Sequence, residues 1–146
     1  MSDLTWSVVE EVLLKALQAE LGSLAPTVAS YQGNWLQDLQ HQAWRLPAVL
    51  VRLRQARGEQ VAMGSSDLIL DFFVLVAVRP LRGETEARVQ EGGIYQILEG
   101  VRRALWQQDL GLAITPFSLE KEEPWLTTRE LAVYGAEYRT SLVKDF

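Results

Sequence analysis

The chain has 146 residues, no cysteine, and 14 basic against 19 acidic side chains, a formal charge of −5. This is the length of one domain, and 48% hydrophobic residues can build its core without disulfides or thiolate-bound metal, both excluded by the missing cysteines. The cations are scattered, as Arg52, Arg54, Arg57, Arg79, Arg82, Arg102 and Arg103, which speaks against a nucleic-acid grip built on phosphate neutralisation.

Val8, Val9, Val12, Leu13, Ala16, Leu17 and Leu21 form a stripe that predicts a first helix, capped at Thr5 or Ser7 and ended at Gly22. Ser7 with Glu10 makes a capping-box pattern that favours a start near Ser7. The opening residues carry no basic n-region, and the longest apolar run, Phe72 to Val78, is too short to span a bilayer, so neither a standard secretory signal nor a membrane span is expected. A short strand is expected at Thr27 to Tyr31. A helix follows from about Asn34 to Trp44, with Leu36, Leu39 and Ala43 inward. A strand follows at Ala48 to Ala56, after Pro47.

Residues 57–66 are expected to join this strand to the next, Asp67 to Val78, as a hairpin with a mobile tip whose two ends pair antiparallel. Both faces of that strand are largely apolar, which places it in the middle of a sheet. A charged segment from Arg79 to Gln90 and the pair Gly92-Gly93 then lead into an amphipathic helix. Ile94, Ile97, Leu98, Val101 and Leu105 recur on its inner side, with Gln96, Glu99, Arg102 and Arg103 opposite, and a loop from Gln107 to Ala113 follows. The last elements are a strand at Thr115 to Glu123, interrupted by Pro124, and a strand from about Arg129 to Val143. Glu137 and Arg139 lie on the second face of the latter, suggesting a partly exposed or interface position. The order α-β-α-β-β-α-β-β, with hairpin-length connections, predicts one α+β domain over residues 1–146: a mainly antiparallel or mixed sheet with helices packed on it.

The residues offer little for catalysis. His41 is the single histidine, without an evident acid partner, and is expected to face solvent. Nucleophile-elbow, P-loop and dinucleotide glycine patterns are absent from the sequence. Asp67 and Asp71, together with Glu120, Glu122 and Glu123, raise the alternative of a carboxylate-bound magnesium nuclease. Residues four apart on a strand lie roughly 13 Å from each other, however, too far to share an ion without help. No enzyme, cofactor or metal is therefore expected. Of the five tryptophans, Trp6, Trp35, Trp44 and Trp106 lie in or beside helices and are expected in core or seam packing. Trp125 with Leu126 falls in an expected turn, where the pair either covers its own core or contacts a partner.

Several segments, taken in order, carry a family likeness. They are Tyr31-Gln32-Gly33, Leu46-Pro47-Ala48-Val49-Leu50-Val51, and Val78-Arg79-Pro80-Leu81-Arg82-Gly83-Glu84. Gly92-Gly93-Ile94-Tyr95-Gln96-Ile97-Leu98-Glu99-Gly100-Val101-Arg102, Leu110-Gly111-Leu112 and Leu131-Ala132-Val133-Tyr134-Gly135-Ala136-Glu137-Tyr138 complete the set. In their order and spacing the chain resembles the tail-completion, or tail-terminator, proteins of Mu-like contractile phages and prophages. The resemblance implies a tail-terminator-like fold and a structural role: a homo-oligomeric ring, a hexamer, in the virion tail, capping the head-proximal end of the tail tube and sheath. The implied partners are tail tube, sheath and neck or head-completion proteins, with no specific nucleic-acid or membrane binding and no cofactor. Another neck adaptor ring, or the cap of a headless contractile particle, is the alternative. Contacts between subunits or with the tail are expected from two loops, represented by Arg82, Glu84, Glu86 and Arg88 in the first and by Trp125 and Leu126 in the second.

Overall fold

The first helix, α1 (Trp6–Leu21), buries a narrower stripe than its sequence suggests: Val9, Leu13, Leu17 and Leu21 are fully buried at every fourth position, while Val8 is exposed. The structure is a computed structural model, and it describes residues 4–41, 43–79 and 93–145. Thr5 is the N-cap, its hydroxyl accepting from the Val8 backbone N–H at 3.4 Å. Ser7 therefore falls inside the first turn, and the Ser7–Glu10 capping box does not form. At the other end the Gly22 N–H donates to the Gln18 carbonyl at 2.9 Å.

The described residues hold three helices and five strands in the expected order. β1 (Thr27–Ser30) runs parallel to the start of β2 (Ala48–Ala62), and every other pairing is antiparallel. The spatial order is β1-β2-β3-β5-β4, where β3 is Ser65–Val78, β4 Ser118–Thr127 and β5 Ala132–Asp145. β3 is flanked on both sides, as its two apolar faces require. The hairpin expected at 57–66 forms with its ends antiparallel, but its tip is tighter than expected: β2 and β3 pair from Gly58↔Leu68 to Ala62↔Ser65, across a bulge at Gln60/Ala62, and close at Met63 and Gly64. Gly64 has φ 77°, which lets so tight a turn close. A polar run with a mid-strand glycine reads as a loop, but ladder hydrogen bonds to an apolar central strand override that propensity.

α2 (Trp35–Gln40) is shorter than the expected 34–44. Asn34 caps it, accepting from the Gln37 N–H at 3.1 Å, and His41 closes it. The chain leaves the helix there, so Ala43 is exposed, whereas Trp44 packs edge-on against Tyr31 at 6.2 Å between ring centroids. The helix Ile94–Leu105, here α3, matches its expected span. Trp106 leaves it in extended conformation, well before Gly111. Pro124 lies within β4 instead of ending it, which an edge strand permits because its outward N–H has no partner to lose.

α1 and α3 cover one face of the sheet and enclose the larger core, with Val49, Val51, Leu70, Phe72, Val74, Val76, Ala136 and Tyr138 beneath them. The two helices meet closely at Gly100, where an added Cβ would stand 2.4 Å from Leu21 Cδ2. Replacing Gly100 with Val is expected to separate the helices at a cost of about 1–3 kcal/mol, read as a lower melting temperature. Ion pairs lock the same layer: Arg103 binds Glu20 across the helices at 2.7 Å, and Arg102 holds Glu122 of β4 in a bidentate pair whose longer bond is 2.8 Å. The Tyr138 hydroxyl is buried in this core with no hydrogen-bond partner among the described residues. Burial, reinforced by the Glu122 charge and opposed by Arg102, pushes its phenol far above the ordinary tyrosine range. Tyr138→Phe is accordingly expected to be neutral or to stabilise by up to about 1 kcal/mol, which a denaturant titration would register.

On the opposite face a second, smaller core gathers Leu50, Leu75, Ala77, Leu131 and Val133 under Tyr31, Leu39, Trp35, Trp44 and Trp125. Among the described residues this layer covers the half of the sheet near α2. Trp6 and Trp106, expected in seams, are 42% and 45% exposed: one starts α1 off its buried stripe, and the other is turned outward as the C-cap of α3. Among the described residues no helix is long and apolar enough to cross a membrane.

Candidate functional site

Beyond the second core the same sheet face carries charge. Asp71 has no accessible surface, although it sits mid-strand between Leu70 and Phe72. The registers Gln55↔Asp71 and Asp71↔Arg139 bring its neighbours onto the same face. Arg139 donates through Nε to Oδ1 at 2.7 Å and through Nη2 to Oδ2 at 3.4 Å, and Gln55 Nε2 donates to Oδ2 at 2.8 Å. A bulge at Leu53/Gln55 turns Arg54 toward the same cluster, with Nη1 3.8 Å from Asp71 and 3.4 Å from the buried Glu137. Its guanidinium also lies 5.8 Å from the Phe73 ring centre. Arg139 reaches on to Glu120 of β4 at 2.9 Å, so the network spans four strands.

Burial alone would raise the Asp71 carboxyl. The hydrogen bonds from Arg139 and Gln55 and the charges of Arg139 and Arg54 outweigh it and hold the group below the usual aspartate range. An ionised carboxylate so fully engaged is a poor general base and has little capacity left for an ion. Of the other acids considered for a metal, Glu120 is engaged with Arg139, Glu122 with Arg102, and Glu123 with Lys121 at 3.4 Å, while Asp67 lies across the hairpin from Glu59. Among the described residues no three His, Cys, Asp or Glu side chains are placed to hold a metal. His41 is exposed at the end of α2.

Trp125 sits on β4, not in a turn. Its indole lies flat over Gly135 of β5, where a Cβ would meet the ring at 2.1 Å, and it contacts Phe73 and Trp35 at centroid distances of 5.1 and 5.5 Å. Half-buried, it is a lid on its own subunit, bordering the charged network on one side and the second core on the other. Leu126 packs into that core and lines an open cleft of about 440 Å³ with Leu39, Arg79, Arg129 and Leu131. Arg82, Glu84, Glu86 and Arg88 lie outside the described residues, so only the second expected contact segment has a position in the fold. The face of β5 that Glu137 and Arg139 mark is partly exposed at Arg139, as expected, whereas Glu137 is buried, and both belong to the ion network. A signal for it was present: a lone Asp in an apolar central strand requires a buried partner.

Comparison with curated proteins finds no similar chain. A family model described as Bacteriophage Mu, Gp37 matches residues 5–143, nearly every element from the cap of α1 to the end of β5. The chain is therefore a phage protein and belongs to the Bacteriophage Mu, Gp37 family.

Proposed function

We propose that this phage protein is a tail terminator: a structural subunit that forms a ring, of six copies, on the head-proximal end of the tail tube and sheath and joins it to the neck. The observation that carries the reading is the family match from residue 5 to 143, taken with the likeness of its segments to tail-completion proteins. The fold is suited to such a role because, among the described residues, its sheet ends in two free strand edges and half of one face lacks a covering layer. The candidate contacts are Leu126 with the adjoining cleft, the lid Trp125, and the segment holding Arg82, Glu84, Glu86 and Arg88. A net charge of −5 suits a passage through which DNA slides without adhering. In this reading the protein is no enzyme and carries no cofactor.

Labelling the protein on purified tails and imaging them by electron microscopy tests the placement. Label at the head-proximal end alone is expected. Label along the tail, or a position on the neck detached from tube and sheath, favours another neck component. Metal-dependent DNA cleavage lost on Asp71→Asn would overturn the structural reading.

A further inference from the structure

The two edges of the sheet are not alike. β4 is blunted by Pro124, by bulges at Leu119/Lys121 and Pro124/Leu126, and by alternating charge. β2 is covered by β1 only over 48–51, and among the described residues no strand lies on its outer side beyond that point. Between its own bulges, at Leu53/Gln55 and Gln60/Ala62, residues 55–60 form a regular ladder with an open outer edge. Gly58 sits in the middle. It has no positive φ, and an added Cβ there would meet nothing within 4 Å, so neither the backbone nor the packing of this subunit calls for glycine. Away from bulges and bends, a glycine inside a strand often marks a place where a ligand or another backbone approaches closely. Glu59 faces Asp67 across the hairpin, a like-charge pair, and neither these two nor Arg57 has an ion partner among the described residues.

We propose that this edge pairs antiparallel with the same edge of a second copy, Gly58 opposite Gly58 on a two-fold axis. Residues opposite each other in an antiparallel ladder both turn their N–H and C=O toward the partner or both away, and this direction alternates along the strand. A strand pairing with its own copy must therefore place the axis through a residue, never between two. An axis through Arg57 would oppose two arginines, and one through Glu59 two glutamates. An axis through Ala56 or Gln60 pairs no opposite charges. The axis through Gly58 sets Arg57 against Glu59 of the second copy, twice, and brings a cation beside the repelling Glu59 and Asp67. The contact is isologous and closes on itself. It does not rest on the ring: it doubles whatever unit the chain otherwise forms.

Sedimentation equilibrium of the full chain tests this. The wild type is expected to reach twice the mass of its basal unit. Arg57→Glu and Glu59→Arg are each expected to raise the dissociation constant of that doubling at least about tenfold, and the double variant to restore it, because the charges are then exchanged on both sides. In this cysteine-free chain Gly58→Cys is expected to cross-link into dimers on mild oxidation, since opposed Cα atoms lie roughly 4.5–5.5 Å apart, within disulfide reach, whereas Gln60→Cys is not. No doubling of mass, single variants without effect, a double variant that fails to recover, or equal cross-linking at both positions would each overturn the pairing. Loss of doubling with ring formation intact would leave the tail-terminator reading standing.

Discussion

Replacing Asp71 with alanine is expected to lower the stability of the subunit by about 3 kcal/mol, because it leaves Arg139, Arg54 and Gln55 turned toward an uncharged cavity. Breaking a wholly buried pair costs about 3–5 kcal/mol, and the lower end applies here because both arginines partly reach water. For a chain of this length that corresponds to a fall in melting temperature of roughly 10 °C. The effect has a definite pH dependence. The folded-state pKa of Asp71 is depressed, so its ionic contribution is fully present above the unfolded aspartate value of about 3.9 and is lost as pH falls through the lower folded value. The gap in stability between wild type and Asp71→Ala is therefore expected to be constant near neutral pH and to narrow below about pH 4. Urea titrations of both proteins at several pH values would check it, and a gap independent of pH down to full protonation would mean that the network contributes shape and not charge.

The second large effect is expected at Gly135. A valine there places its Cβ within 2.1–2.6 Å of three atoms of the Trp125 indole, so the ring must lift from the sheet and give up its contacts with Phe73 and Trp35. The expected cost is about 3 kcal/mol. Trp125→Ala alone should cost about 2–3 kcal/mol, less than a fully buried aromatic because one side of the ring faces water. In the Trp125→Ala background the valine no longer meets the ring, and the two changes should fail to add by at least about 1 kcal/mol. Additive losses would show that Gly135 is required for another reason. Counting completed tails with the Trp125→Ala variant separates the two expected roles of Trp125: as a lid, its removal lowers subunit melting and impairs the proposed tail assembly only in proportion.

Where the sequence was legible, one physical signal dominated its segment. The period-2 pattern of Asp67 to Val78, apolar on both faces, identified the central strand, and the spacing of Ile94 to Leu105 identified the helix that covers it. Where it misled, two signals competed. Gly58 and its polar neighbours suggested a loop, but register with β3 carried the strand to Ala62. Pro124 suggested a break, but it lies on an edge where a missing N–H costs little. The same proline suggests a turn at Trp125, although Gly135 of the facing strand, having no side chain, leaves room for its indole. The Asp71 network was the hardest to read, since it joins residues from β2, β3, β4 and β5 through registers that bulges displace by one residue.

In the proposed function this family member forms a ring on the tail. Native mass spectrometry of the purified chain, alone and mixed with tail tube protein, tests it most directly. A discrete closed oligomer of six subunits, or twelve where two rings are joined, is expected, formed alone or on the tube protein as template and retained in complex with it. A chain that forms no ring under either condition and fails to join purified tails would contradict it.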